Sequence, residues 1–462
     1  MVISNFYSSG YLEKKMESYL QEVQNFKQKW PDIEFIDLIF TDINATPPRG
    51  KRIPIDALEK LNKGVALPPF RPSPIPKVTS LKRPLGEDLG EPDNLCYPIS
   101  GTLMPTAKEQ VGQLLLSMMD ETGQHPNPLF IRNILASILQ TLHAKDQYPC
   151  IALELEFYLI DKTRGENGEP LTAINPTKKT REKDTEVYDL DGLDDYADFL
   201  ADLNRIALEQ GLNTSGALSE SAPGQFEINF NHSKDVLRAC DEIIIAKRLI
   251  RQVAHQHGFD ATFMAKPFSE QAGNGMHIHL SLVDTDGNNH FSQPDGQASA
   301  FFYQTMAAML SQTSDSMALI CPNVNSYRRF VPGAYVPTKA DWGENHRGVA
   351  LRVPISDSKN RRIEHRIAGA DVNPYILAAV VLSAVLASEN YTKDQCPPTL
   401  SEDAIELPLR MSEALEQLEH SELAQYISRD FIDLYLACKQ SELAEFERAI
   451  TPLEIDWMLH SA

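Results

Sequence analysis

Closely spaced cysteines are missing from this chain. Its six cysteines, Cys96, Cys150, Cys240, Cys321, Cys396 and Cys438, stand more than forty residues apart. That spacing excludes a C-x-x-C zinc knuckle or redox pair and offers no disulfide framework. Unpatterned thiols fit a reducing cytosol, so a cytoplasmic protein is expected. Long apolar runs are also scarce. The opening "MVISNFYSSGYLEKKMESYL" lacks the core of a signal peptide. The most apolar stretch, "PYILAAVVLSAVLASENY" from Pro374, is short for a membrane span. Asn373-Pro374 gives it a cap and a first turn, so it reads as a buried core helix. Positive charge is in deficit, with 43 Lys+Arg against 64 Asp+Glu and a net charge of −21. Long-range repulsion then argues against nucleic acid and anionic membranes as partners. No G-x-x-x-x-G-K-[ST] occurs, which excludes a P-loop as the nucleotide cradle. Internal repeats and low-complexity blocks are absent as well.

What is there is ordinary in bulk and unusual in placement. At 462 residues the chain exceeds one ordinary core, and two domains are expected, 1–110 and 111–462. The first part reads as an amphipathic helix over 11–30, a strand in "EFIDLIFTD", and a Pro-rich stretch around one short helix at 55–62. Short strands such as "NLCYPIS" follow, so this part is small, β-rich and long-looped. From Thr106, "TAKEQVGQLLLSMMDETG" reads as a capped helix. Strands are expected at 150–160, 224–230 and 276–282. Helices are expected near 193–210, 235–257, 298–312 and 374–391, with a mostly helical tail from about 407. The larger domain is therefore expected to be α+β, an antiparallel-rich sheet with helices around it.

Chemistry gathers on the strands. In "CIALELEFYLID" (150–161), alternation puts Ile151, Leu153, Leu155, Phe157 and Leu159 on one face. Glu154 and Glu156 share the other, about 7 Å apart along the strand. They form either a wet acidic face or a seat for a cation. "SESAPGQFEINFN" places Glu220 before a Pro-Gly turn and then aligns Gln225, Glu227 and Asn229 on one strand face. "GNGMHIHLSL" aligns His277, His279 and Ser281, and "NRRIEHRIAG" aligns Arg362, Glu364 and Arg366. Taken singly, an H-x-H pair can be a surface pair, and R-x-E-x-R an exposed ion-pair ladder. Converging on one sheet, five carboxylates could not all stay ionised without cations between them. Oxygen ligands with one imidazole suit Mg²⁺ or Mn²⁺ rather than structural zinc. Arg328, Arg329, Arg347, Arg352, Lys359, Arg362 and Arg366 supply guanidinium and ammonium groups of the kind that neutralise phosphoryl oxygens. The residues alone thus point to a two-metal, ATP-using, carboxylate-activating enzyme.

The ordered set "ELEFYL", "ESAPGQFEINF", "GNGMHIHLS", "NSYRRFVPG", "RGVALRVP" and "RRIEHR" resembles the glutamine synthetase family, and "FTDINATPPRGKRIP" looks like its small N-terminal β-grasp domain. The resemblance implies a catalytic domain with a curved antiparallel sheet, and an active site between subunits of a ring. A homo-oligomer, a dodecamer of two hexameric rings, is the expected assembly. Two or three Mg²⁺ (or Mn²⁺) ions per site are implied. One would be held by Glu156, Glu220 and Glu227, another by Glu154, His277 and Glu364. His279, Ser281, Lys359, Arg362 and Arg352 match ATP contacts. Gly273 and Arg329 match positions at the amino-acid end of L-glutamate, and Arg366 its reactive carboxylate. Arg347 and Arg352 match positions around the transferred phosphoryl group. The implied reaction phosphorylates the γ-carboxylate and lets a nitrogen nucleophile displace phosphate.

Two departures bear on the amine. The family's "FDGSS" aspartate region reads "GVALPPFRPS" (64–73) here, without an acid, and the flap glutamate position holds Tyr335. Ammonium is small and strongly hydrated, and its capture calls for close anionic groups. Losing both suits a larger amine, and the resemblance is nearest the γ-glutamylpolyamine (γ-glutamylputrescine) synthetase branch. Tyr335, with Phe70 and Trp342, would form an aromatic wall for methylenes and a cationic tail, ordinary loop packing being the competing reading of each ring. Another alkylamine such as ethanolamine or a monoamine, ammonium itself, or an inactive nitrogen-sensing relative are the alternatives. The family's "NLYDLP" adenylylation loop is missing too, the chain reading "SENYTKDQCPPTLSED" there.

Overall fold

The computed structural model describes residues 9–44, 49–67, 93–120, 122–184, 186–331 and 335–461. Two mixed layers of sheet and helix make up the chain. The first sheet comprises β1 Phe35–Phe40, β2 Arg49–Pro54, β3 Val65–Leu67, β4 Asn94–Pro98, β5 Met104–Pro105 and β6 Val111–Met118, in the order β2-β1-β6-β4-β3 with β5 on β6. Strands β1 and β6 run parallel, and the remaining pairs are antiparallel. The helix Ser9–Lys29 buries Tyr19, Val23 and Phe26 against the sheet face that carries Ile36, Leu38 and Leu114.

Strand β6 corrects the helix expected from Thr106. Val111–Met118 is buried on both faces, with Leu114 and Leu116 in the small core and Leu115 in the large one. A strand covered on both sides has no polar side to alternate with, so its apolar run reads like a buried helix. It also lies past residue 110 while pairing in the first sheet.

The second sheet contains β7 Tyr148–Arg164, β8 Pro170–Thr172, β9 Thr214–Ser219, β10 Gln225–Phe230, β11 Phe259–Thr262, β12 Met276–Val283, β13 Trp342–Glu344, β14 Leu351–Val353 and β15 Ile363–His365. Its order is β13-β14-β15-β12-β7-β10-β9, with β8 and β11 also on β7. Every pair is antiparallel except β13–β14. The face with Ile151, Leu153, Leu155, Phe157 and Leu159 packs on Phe199, Ile243, Leu249 and Leu377, contributed by helices Ala197–Glu209, Val236–Gln256 and Pro374–Ala387. The expected alternation along β7 is realised, and the opposite face is left for polar groups. Asn373 caps helix Pro374–Ala387 by accepting from Tyr375 N at 3.0 Å. That helix is buried almost throughout. Among the described residues no helix is long and apolar enough to cross a membrane.

Candidate active site

Strand register builds the site. Across β7–β10, Glu227 faces Glu156 and Asn229 faces Glu154. Across β7–β12, His277 faces Glu154. Then His279 faces Glu364 across β12–β15, and Arg352 faces Glu364 across β14–β15. Facing side chains on five neighbouring strands thus form one polar floor. Glu154, Glu156, Glu220, Glu227, His277, Glu364, Gly273, Arg329, Tyr335, Arg347, Arg352 and Arg366 all line one cleft of about 960 Å³.

Within the floor, Glu154 accepts from two imidazoles, His277 Nδ1 at 2.9 Å and His279 Nε2 at 2.8 Å. Burial works against its charge, but these two partners hold its carboxyl far below the usual range. Glu156 accepts from Gly275 N at 2.7 Å. Glu364 is fully buried and receives Arg352 at 2.6 Å and Arg366. Burial works against its charge, but His277, His279 and Arg366 nearby hold its carboxyl below the usual range. Glu227 accepts from Asn229 Nδ2 at 3.1 Å, a neutral donor. Burial, then Glu154, Glu156 and Glu220, push it up to about 9. Glu220 rises to about 7, through burial and Glu156.

Two groups of ligand atoms each lie within 4.8 Å of one another, Glu154–His277–Glu364 and Glu156–Glu227–His277. The first is the set implied by the resemblance. In the second, His277 stands where Glu220 was expected. Glu220 lines the same cleft but precedes β10 by the turn at Gly224 (φ 71°), off the regular strand register. Crowded carboxylates with one shared imidazole, two of them driven to hold protons, fit a pair of hard divalent cations.

A second cavity of about 550 Å³ adjoins the floor and is lined by Ser281, Lys359, Arg362, His232, Cys150 and Asp357 among others. The expected ATP contacts Ser281, Lys359 and Arg362 therefore gather in one place. His279 stands between the two cavities, bonded to Glu154 on one side and reached by Arg362 Nε at 3.4 Å on the other. His232 and Cys150 were not foreseen, because His232 falls past the end of β10 and Cys150 has an unremarkable setting in sequence. Tyr188, which meets Arg347 at 3.0 Å, was also missed, lying in a loop with no periodic pattern.

Where the amino-acid end of glutamate was expected, Gly273 presses on Arg329. A Cβ there would meet Arg329 Cγ at 2.7 Å and Ala265 O at 2.8 Å. Arg329 is buried, donates to Ile367 O at 2.8 Å, and leaves its Nε without a partner. Arg366 Nε donates to Arg347 O at 3.0 Å, which ties the two arginines together. Arg328 does not join the cleft and lies over the Phe446 ring at 5.8 Å.

The aromatic wall is only partly realised. Tyr335 lines the cleft and is 79% exposed. Trp342 instead belongs to the core, its Nε1 donating to Pro397 O at 2.8 Å and its ring edge-on to Tyr303. A large ring with one polar atom is satisfied better inside than on a wet wall. Phe70 lies outside the described residues.

Fold and cleft together define a carboxylate-and-arginine site on an antiparallel sheet, and residues 130–458 match the glutamine synthetase catalytic domain. The chain belongs to the glutamine synthetase family. It is 41% identical over 459 residues to gamma-glutamylputrescine synthetase PuuA of Escherichia coli (strain K12), covering 97% of each chain. It is 30% identical over 382 residues to a glutamate–isopropylamine ligase of Pseudomonas sp, covering 80% of this chain and 82% of that one. The solved structure of apo GmaS without ligand superposes with a TM-score of 0.80 at 27% identity, covering 94% of this chain and 98% of that one.

Proposed function

We propose that this protein is an ATP-dependent ligase joining the γ-carboxylate of L-glutamate to an alkyl polyamine such as putrescine, through γ-glutamyl phosphate. The observation that carries this is the joint cleft, where the ligand groups on Glu154, Glu156, Glu227, His277 and Glu364 stand against Arg329, Arg347, Arg352 and Arg366. Nucleotide enters by the neighbouring cavity, where Ser281, Lys359 and Arg362 bind it beside His279. Glu154, His277 and Glu364 would hold one Mg²⁺ or Mn²⁺, and Glu156 and Glu227, completed by Glu220, another. Such cations, when bound, screen the phosphate oxygens of ATP and stabilise the charge that develops during transfer.

The chain's own groups do the rest. Gly273 leaves room for glutamate beside Arg329, and Arg366 orients the γ-carboxylate. An oxygen of that carboxylate takes the γ-phosphoryl group and ADP leaves, with Arg347 and Arg352 neutralising the transferred oxygens. The amine nitrogen then attacks the acyl carbon, phosphate departs with the C–O bond electrons, and the nitrogen loses a proton. The amine itself is read from the cleft wall. Tyr335 and Tyr188 offer ring faces for methylenes, and Glu270 on the same wall offers a charge for the distal ammonium.

The division between units is best placed in the connection after β6, since that strand completes the first sheet. Assembly as a homo-oligomer, with a dodecamer of two hexameric rings as the family form, is supported by the exposed apolar C-terminal segment. Ile450, Trp457 and Leu459 are 77%, 63% and 66% exposed, an apolar surface suited to another subunit. A cytoplasmic setting accords with six free cysteines.

Phosphate release by purified protein with glutamate, ATP and Mg²⁺ tests the amine. Putrescine is expected to turn over at least tenfold better than ammonium, ethanolamine or isopropylamine. Tyr335→Ala is expected to raise the KM for putrescine and leave that for glutamate alone. Faster turnover of ammonium would overturn the polyamine assignment.

A further inference from the structure

Tyr188 does more in the cleft than offer a ring face to the amine. Its backbone sits at φ 65°, the left-handed region that an aromatic side chain rarely adopts without support. That support is present on both sides. Tyr188 N donates to Ser219 O at 3.0 Å, at the end of β9 and one residue before Glu220. The next residue, Asp189, caps helix Leu190–Asp195 by accepting from Asp191 N at 3.1 Å. The ring lines the cleft while 55% exposed. Its phenolic oxygen accepts from Arg347 Nη2 at 3.0 Å, and the guanidinium carbon lies 5.9 Å from the ring centroid.

Arg347 needs such a partner. It sits in the loop between β13 and β14, and an arginine there has much rotamer freedom to lose before it can act. Its carbonyl is already fixed by Arg366 Nε, which settles the backbone but not the side chain. The tyrosine supplies the missing restraint, one hydrogen bond and one ring face, from a backbone that is itself anchored to β9 and to a capped helix.

We propose that Tyr188 is a positioning residue, which clamps the Arg347 guanidinium over the carboxylate cleft so that it is already aimed at the transferring phosphoryl group. This rests on the ligase reading, in which Arg347 faces that group. Pre-aiming a charge matters because a donor that must reorganise during the reaction stabilises the transition state less.

The test is a double-mutant cycle in steady-state kinetics with glutamate, ATP and putrescine. Tyr188→Phe keeps the ring and removes the hydrogen bond. It is expected to lower kcat about tenfold while the KM values for glutamate, ATP and amine stay within twofold. In an Arg347→Ala background the same change is expected to cost less than twofold, because nothing remains to be positioned. Where that background is too slow to follow, Arg347→Lys replaces it, with the same expectation of strong non-additivity. Unchanged melting temperature in Tyr188→Phe separates the effect from folding. Equal loss in both backgrounds, or a raised amine KM with unchanged kcat, would overturn the proposal. A wild-type protein without amine-dependent phosphate release would instead sink the ligase reading itself, before any variant is compared.

Discussion

Glu227 stands directly opposite Glu156 across the β7–β10 pair, two carboxylates in register whose ligand atoms share the single imidazole of His277. Like charges facing each other on a sheet destabilise it, and here burial adds to the cost. Glu227 meets that strain by holding its proton up to about pH 9. A divalent cation is the other remedy.

That relationship makes Glu227→Gln informative. Glutamine keeps the shape and mimics the protonated acid, so in EDTA the variant is expected to melt at the wild-type temperature or a few degrees higher. Added Mn²⁺ is expected to raise the wild-type melting temperature and to raise that of the variant much less, since binding to the native state alone stabilises it. Ligase turnover is expected to fall at least tenfold. An unaltered Mn²⁺-induced shift in Glu227→Gln would remove Glu227 from the metal set.

Much of this floor was readable in the sequence because an antiparallel strand with one covered face writes itself at period two. Ile151 to Leu159 against Glu154 and Glu156 could be sorted from spacing alone, and β10 and β12 followed the same rule. Which residue faces which was not readable. The Glu227–Glu156 and Arg352–Glu364 partnerships depend on long-range register, and no local pattern encodes that. Strand β6 escaped because both of its faces are apolar, and Thr106 ahead of it mimics a helix start. Tyr188 escaped for the opposite reason: a single residue at positive φ in a loop leaves no period at all. Trp342 shows a third limit, since an aromatic near the site looks the same in sequence whether it lines the cleft or fills the core.

Gly273, proposed above to leave room for glutamate, tolerates no side chain. Its missing Cβ is what lets Arg329 and the Ala265 carbonyl approach so closely, and a backbone oxygen cannot move aside as a flexible side chain can. Gly273→Ala is therefore expected to displace Arg329 and raise the KM for glutamate at least tenfold. The KM for ATP should change less than twofold, since Gly273 lines only the larger cleft. A stability loss of about 1–3 kcal/mol should accompany it, as for other overpacked sites. Equal increases in both KM values would show instead that the whole floor had shifted.

One lysine lies far from solvent. Lys247, on helix Val236–Gln256, is 1% exposed and donates to Val372 O at 3.0 Å, with its Nζ 5.7 Å from the Phe263 ring. Burial lowers its pKa to about 7, with Asp371 pulling it up and Arg251 pushing it down. The unfolded chain keeps this proton until its ordinary value of about 10.4. Between pH 7 and 10, then, the unfolded state binds more protons than the native one, and stability rises with pH. The slope from one such group is at most about 1.4 kcal/mol per pH unit, and its total is on the order of 4 kcal/mol. Below pH 7 both states are protonated and the slope vanishes. Lys247→Met keeps the volume and removes the titration. In urea titrations at pH 7, 8, 9 and 10, the variant is expected to be the more stable protein at pH 7 by a few kcal/mol. That advantage should shrink steadily as pH rises, because only the wild type gains. A constant difference across the four pH values would mean that Lys247 titrates alike in both states, and that its burial carries no charge penalty.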